Sequence, residues 1–314
     1  SNLVTNDINS LTDIFVHDRQ TGETSRVSVT SAGIQANDQS TQVELSGDGR
    51  YVSFQADASN LVANDTNAVS DVFVHDRQTA QTIRVSVSAA GVQGNAESYN
   101  PSISGDGQRV VFLSEANTLV GNDTNFTADI FLRDLSTNTV SFVNVNNGGG
   151  LSSTSGSHIV YPTISNNGRY VTFTWNANNL VAGDTDYDYD VFVRDTQTNT
   201  NQLVSLTSAG VQTPYSNDTW YEGTFTSDDG RFVSFGALVN DFVPADTNDK
   251  LDIFVRDTQA NTTTSVTVGN TSVAIDGALG DALYPNVSGN GRYVAFASKS
   301  PTLNPNGSTA CFLF

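Results

Sequence analysis

Carboxylates return along this chain at a fixed beat, each pair with an amide or a third acid between its members. The pattern D-x-N-x-x-x-D gives Asp7, Asn9 and Asp13; Asp65, Asn67 and Asp71; Asp123, Asn125 and Asp129; Asp246, Asn248 and Asp252. One copy is richer, with Asp184, Asp186, Asp188 and Asp190. Oxygen-bearing side chains that alternate on a short loop suit a hard cation. Calcium takes six to eight oxygens at about 2.3–2.6 Å, and three side chains with backbone carbonyls and water reach that number. Carboxylates held this close repel one another, and a cation relieves that repulsion. The expected cofactor is therefore Ca2+, one ion per loop, and five ions would move the formal charge from −19 to −9.

A second reading stands beside this one. Asp and Asn also close turns by accepting bonds from nearby backbone N–H groups, with no metal involved. The glycine that an EF-hand loop requires is missing as well. Zinc and copper are disfavoured, because the chain has one cysteine, Cys311, and its three histidines lie outside these loops. A sixth copy has Asn304 and Ala310 where the two acids stood, and no ion is expected there.

The loops are positioned by an internal repeat of about sixty residues. Asp13, Asp71, Asp129, Asp190 and Asp252 follow one another at intervals of 58, 58, 61 and 62 residues. Each unit reads as four short strands. The first resembles Pro101–Ser104. A Gly turn follows, at Gly49, Gly107, Gly168, Gly230 and Gly291, each preceded by Asp or Asn, as tight hairpins demand. The second strand is the alternating run Tyr51–Phe54 and its copies. The acidic loop leads into a third strand of the type Asp71–Asp76, and a Thr/Gln/Asn turn leads into the fourth. Four hairpin-connected strands per unit describe a β-propeller blade, whose two faces are buried by stacking on neighbours.

Asp-Gly-Arg followed by aromatic-Val-x-Phe, then Asp-Ile/Val-Phe-Val-x-Asp, is similar to the TolB-like propeller repeat, and the similarity runs over the whole chain. It implies an all-β propeller. It does not imply one activity, since that family includes scaffolds, binding modules and enzymes. The expected architecture is one domain over 1–314, with blade units 41–88, 99–145, 161–207 and 221–268, and a fifth made of 283–314 combined with 1–30. Five blades close if the N-terminal third and fourth strands complete the C-terminal first and second; six is the alternative.

Composition excludes several functions. With 33 acidic against 14 basic residues, and the basic ones scattered, neither a nucleic acid backbone nor an anionic membrane is a fitting partner. No apolar run is long enough for membrane insertion. The chain contains no Met and opens mid-repeat, which fits a processed, secreted or cell-surface product, with a periplasmic setting the alternative.

No nucleophile elbow, phosphate loop or zinc motif is present. His17 and His75 share a repeat position with Arg133, Arg194 and Arg256 and are expected to be surface residues, while His158 sits in a Gly/Ser-rich insert. Glu44, Glu97, Glu115 and Glu222 break the repeat without forming a nominated pair. Tyr99, Tyr161, Tyr215, Trp220, Tyr221 and Tyr284 lie in or just after the connections between blades, and aromatic platforms beside Asn and Asp suit sugars. They equally suit the plugging of a central channel. The expected function is a calcium-binding module that holds a glycan or a protein, or assembles with other chains. The alternatives are a carbohydrate-active lyase or hydrolase and a structural subunit of a surface layer or filament.

Overall fold

The computed structural model describes residues 3–125, 127–153, 161–212, 223–238, 242–243, 251–267, 282–298 and 310–313, the segments 282–284 and 310–313 as backbone only. Every regular element among them is a strand. The chain divides into two compact units, 1–143 and 144–314. The first holds a hairpin, β1 (Phe15–His17) and β2 (Thr24–Arg26), and two four-stranded sheets. These are β3 (Ser40–Leu45), β4 (Tyr51–Ala56), β5 (Asp71–Asp76) and β6 (Gln81–Arg84), then β7 (Ser98–Ile103), β8 (Arg109–Ser114), β9 (Asp129–Asp134) and β10 (Thr139–Phe142).

The second unit has two more four-stranded sheets. One is β11 (Thr163–Ile164), β12 (Tyr170–Trp175), β13 (Asp190–Asp195) and β14 (Thr200–Leu203); the other is β15 (Phe225–Thr226), β16 (Phe232–Ala237), β17 (Asp252–Asp257) and β18 (Thr262–Ser265). A three-stranded sheet follows, β19 (Ala282–Val287), β20 (Val294–Ser298) and β21 (Ala310–Leu313). Neighbouring strands are antiparallel and in chain order, the meander that hairpin turns impose.

Strands covered on both faces need apolar residues at nearly every position rather than at alternate ones. The third strands obey this: the first five residues of β5, β9, β13 and β17 are all buried. Within each sheet a second-strand Phe stacks on a third-strand Phe, with Phe54–Phe73, Phe112–Phe131, Phe173–Phe192 and Phe235–Phe254 centroids 5.6–5.9 Å apart. Sheets then pack face to face. Val72, Val74 and Val85 meet Ile103, Val110 and Phe112 in the first unit. Val191, Val193 and Val204 meet Val233 and Phe235 in the second.

The turn glycines answer two demands at once. Gly107 has φ +69°, and a Cβ there would lie 2.0 Å from Cδ2 of Tyr51 in the preceding sheet. Gly230 and Gly291 stand in the same way against Tyr170 and Phe232. Each aromatic also carries the guanidinium of the preceding arginine over its ring, at 4.7 Å for Arg50 on Tyr51. Four arginines, Arg50, Arg109, Arg169 and Arg231, clamp the aspartates that end the third strands, Asp76, Asp134, Asp195 and Asp257.

Two expectations are corrected. Among the described residues the sheets number six, and the C-terminal one has its own third strand: Ala295, Phe296, Ala297 and Ser298 of β20 pair with Leu313, Phe312, Cys311 and Ala310 of β21. The blade count therefore follows the six-blade alternative more closely than the five-blade reading, which used β1 as that third strand. Loss of the loop carboxylates does not stop pairing, because the ladder is made of backbone groups.

The slot shared by His and Arg is also not a surface position. His75, Arg133, Arg194 and Arg256 are 3–6% exposed, while His17 is exposed. The arginines reach back to carbonyls of the preceding repeat, Arg133 to Ser88, Arg194 to Val145 and Arg256 to Thr207. His75 bonds Thr82, whose hydroxyl in turn reaches Val29. A donor that staples one repeat to the one before is what the position supplies.

Candidate metal centre

Loops 65–71, 123–129 and 184–190 follow the second strand of their sheets and run into the third strand at the closing aspartate. That aspartate is anchored identically in four repeats. The hydroxyl of Ser28, Ser86, Ser205 or Thr267 donates to Asp13, Asp71, Asp190 or Asp252 at 2.5–2.6 Å. The same hydroxyl oxygen accepts the N–H of the next residue, as from Val72 and Val191. One carboxylate oxygen is thereby fixed and the other is turned into the loop.

What meets that second oxygen differs between loops. In loop 65–71 it is a guanidinium: Nη1 of Arg84 lies 3.1 Å from Asp65 and 3.2 Å from Asp71. Nη2 of Arg84 donates to the carbonyl of Asn64 at 3.3 Å. Nε2 of Gln93 donates to both acids, at 2.8 and 3.3 Å. Loop 7–13 repeats this set with Arg26 at 3.5 and 3.6 Å from Asp7 and Asp13, and Gln35 at 2.9 and 2.8 Å. Asn9 and Asn67 use their amides as donors, to the carbonyls of Ala36 and Gly94.

Loop 184–190 keeps the glutamine and changes the rest. Nε2 of Gln212 donates to Asp184 at 3.1 Å and to Asp190 at 2.7 Å. The arginine's position holds Leu203. The equivalence is a matter of register, since Arg26 pairs with Phe15, Arg84 with Phe73 and Leu203 with Phe192. The amide donor of the loop is replaced by a third carboxylate, Asp186. Carboxylate oxygens of Asp184, Asp186 and Asp190 all lie within 4.8 Å of one another. Asp188 is not part of that group.

Burial dominates the electrostatics of this loop. Burial, and then the charges of Asp184 and Asp186, push Asp190 up to about 7 against the bonds from Ser205 and Gln212. Asp184 is raised as well, by burial first. Three converging oxygens from two buried acids and one half-buried acid fit a hard cation of calcium's kind, with carbonyls and water completing the shell.

Loop 123–129 also lacks the arginine, with Phe142 opposite Phe131. Among the described residues no hydrogen bond reaches Oδ1 of Asp123, although that oxygen is buried. Burial raises the Asp123 carboxyl. In the last loop Asp246 and Asn248 lie outside the described residues, and only Asp252 is placed.

Of the six aromatic candidates, Tyr215, Trp220 and Tyr221 lie outside the described residues, as does His158, and Tyr284 is placed only as backbone of β19. Tyr161 is 41% exposed. Tyr99 sits within β7, its hydroxyl pushed up to about 12 by burial and by Glu115 and Glu97. Glu44, a repeat-breaking acid, accepts the N–H of Ile103 at 2.9 Å across two first strands and is raised by burial. Glu222 lies outside the described residues. What sequence reading missed was the pair of counter-charges, Arg26 and Arg84. Their signal was present, because arginine follows the closing aspartate by thirteen residues and glutamine follows it by twenty-two.

No family model matches the chain, and no curated protein matches it. Solved structures do. The propeller domain of the Trilobed protease from Pyrococcus furiosus, described as having an open velcro topology, aligns at TM-score 0.54 and 8% identity over 96% of this chain and 71% of that one. A candidate TolB from Agrobacterium tumefaciens aligns at TM-score 0.51 and 12% identity, covering 96% and 88%. The sheets are β-propeller blades. TolB from Acinetobacter baumannii matches at TM-score 0.48 and 14% identity over 92% of this chain, which spans 57% of that protein's length. At such identities the likeness carries the fold alone. No helix among the described residues is long and apolar enough to cross a membrane.

Proposed function

We propose that this chain is a calcium-binding propeller that works without catalysis, as a binding or assembly module in a calcium-rich extracellular setting. The observation that carries the reading is the convergence of Asp184, Asp186 and Asp190 in a loop from which the arginine has been replaced by Leu203. Three acids with no internal cation are stable when a divalent ion joins them, and the energy of that ion is added to the fold. The exposed ring of Tyr161 and the chain's acidity support a neutral ligand such as a glycan, or a protein surface, as the partner.

Thermal unfolding in excess calcium and then in EDTA, with metal analysis of the untreated protein, tests the calcium claim. A ligand held at a hundred times its Kd adds about 2.7 kcal/mol, a midpoint shift of roughly 5–10 °C for a unit of this size. Coincident midpoints with no bound metal would return the loops to hydrogen-bonded turns. Turnover of a polymer above about one per second would replace the binding module with an enzyme.

A further inference from the structure

In loop 65–71 the space between the first and last carboxylates is filled by Nη1 of Arg84, 3.1 and 3.2 Å from the two oxygens. The other terminal nitrogen takes the carbonyl of Asn64. Two carboxylates and a backbone carbonyl around one positive charge are the kind of donor set a calcium ion gathers. The pair is not a solvated surface contact: the side chains of Arg84, Asp65 and Asp71 are 8%, 3% and 0% exposed. Loop 7–13 places Arg26 in the same way, with the carbonyl of Asn6 in the role of Asn64.

A guanidinium and a calcium ion cannot share this place. Calcium needs oxygens at about 2.3–2.6 Å, and the guanidinium is a donor only, of like charge to the ion. Where the fourth strand carries no arginine, the loop is left without its positive centre. In loop 184–190 that loss coincides with a carboxylate in place of the amide donor. The two changes point the same way: one removes an internal cation and the other adds a ligand for an external one.

We propose that the arginine of the fourth strand is a built-in counter-ion occupying the place of a calcium ion, so that Arg26 and Arg84 close loops 7–13 and 65–71 to metal and the residue at this one position decides which blades bind calcium. Closing two of the five loops leaves at most three ions, among them the one at loop 184–190, whose fourth strand carries Leu203. This rests on the calcium reading above for its ligand, while the counter-ion role of Arg84 is measurable without any metal.

The test compares the full chain with Arg84→Leu and Leu203→Arg. Calcium titration of chelator-treated protein by calorimetry is expected to give no more than three sites for the unchanged chain, one more for Arg84→Leu and one fewer for Leu203→Arg. Unchanged stoichiometry in both variants, or five sites in the parent, overturns the proposal. Should Arg84→Leu fail to fold in EDTA, Leu203→Arg carries the stoichiometry test alone.

If the parent binds no calcium, the functional reading fails and the counter-ion role is judged by thermal unfolding in EDTA. Arg84→Leu should lower the midpoint by roughly 6–12 °C, and adding Asp65→Asn should recover most of that loss. Additive losses would show that Arg84 acts through packing alone and would overturn the proposal.

Discussion

At the scale of the residue, position within the repeat counts for more than residue type. His75 and Arg133 differ in chemistry but fill one slot, because each supplies a donor at the end of a third strand. The turn glycines show the same logic in reverse, where having no side chain is the requirement. Gly107→Ala would force a Cβ against the Tyr51 ring and hold alanine at φ +69°, and is expected to cost about 2–4 kcal/mol. Gly91 has φ +78° but nothing within 4 Å of its absent Cβ, so Gly91→Ala should cost only about 1 kcal/mol. Urea unfolding of both variants checks the difference. Equal losses would mean that backbone conformation alone, and not the aromatic of the preceding sheet, selects glycine at Gly107.

At the scale of the element, most strands were legible because four signals coincide in each repeat: Asp/Asn-Gly turn, aromatic run, acidic loop and apolar third strand. The C-terminal copy is less legible for want of one of them. Ala310–Leu313 lacks the leading acid, which leaves its place in the blade count open in the sequence, yet it pairs with β20 through backbone groups. The arginines of the loops were missed for a related reason. Counted as fourteen scattered charges they say little; placed opposite Phe15 and Phe73 they lie against the acids.

The clamps between second and third strands make an acid-labile element. The hydrogen bond from Arg169 holds Asp195 at about 2, and that from Arg231 holds Asp257 at about 2, both below the ordinary carboxylate value near 3.9. A depressed folded-state value means that the clamp contributes fully above about pH 4 and is lost as pH falls toward 2. The arginines are partly solvent-exposed, so each clamp is a modest contributor. Asp195→Asn should therefore lower the unfolding midpoint by roughly 1–3 °C at pH 7 and by less at pH 2.5. A difference that stays constant across that range would assign the loss to packing instead of charge.

At the scale of the molecule, a formal charge of −19 with a pI near 4.1 opposes folding through self-repulsion, and the chain meets this by two routes. Internal arginines neutralise some acids in every setting, while on the proposed reading the loops without one would leave neutralisation to ions in the medium. Three calcium ions would bring the formal charge from −19 to −13. The two routes respond differently to salt. Raising NaCl from about 10 to 150 mM shortens the Debye length from about 30 to 8 Å, which screens the long-range repulsion but does not fill a site of three converging carboxylates. In EDTA the midpoint is expected to rise by a few degrees over that range and to keep climbing gradually beyond it. Calcium at constant ionic strength should add a further rise that saturates once its sites are filled. Leu203→Arg separates the two contributions, because it should leave the NaCl response nearly unchanged and shrink the calcium response. If instead magnesium and calcium act alike, and both follow ionic strength alone, then acidity serves general screening and the loop chemistry has no part in the stability of the whole chain.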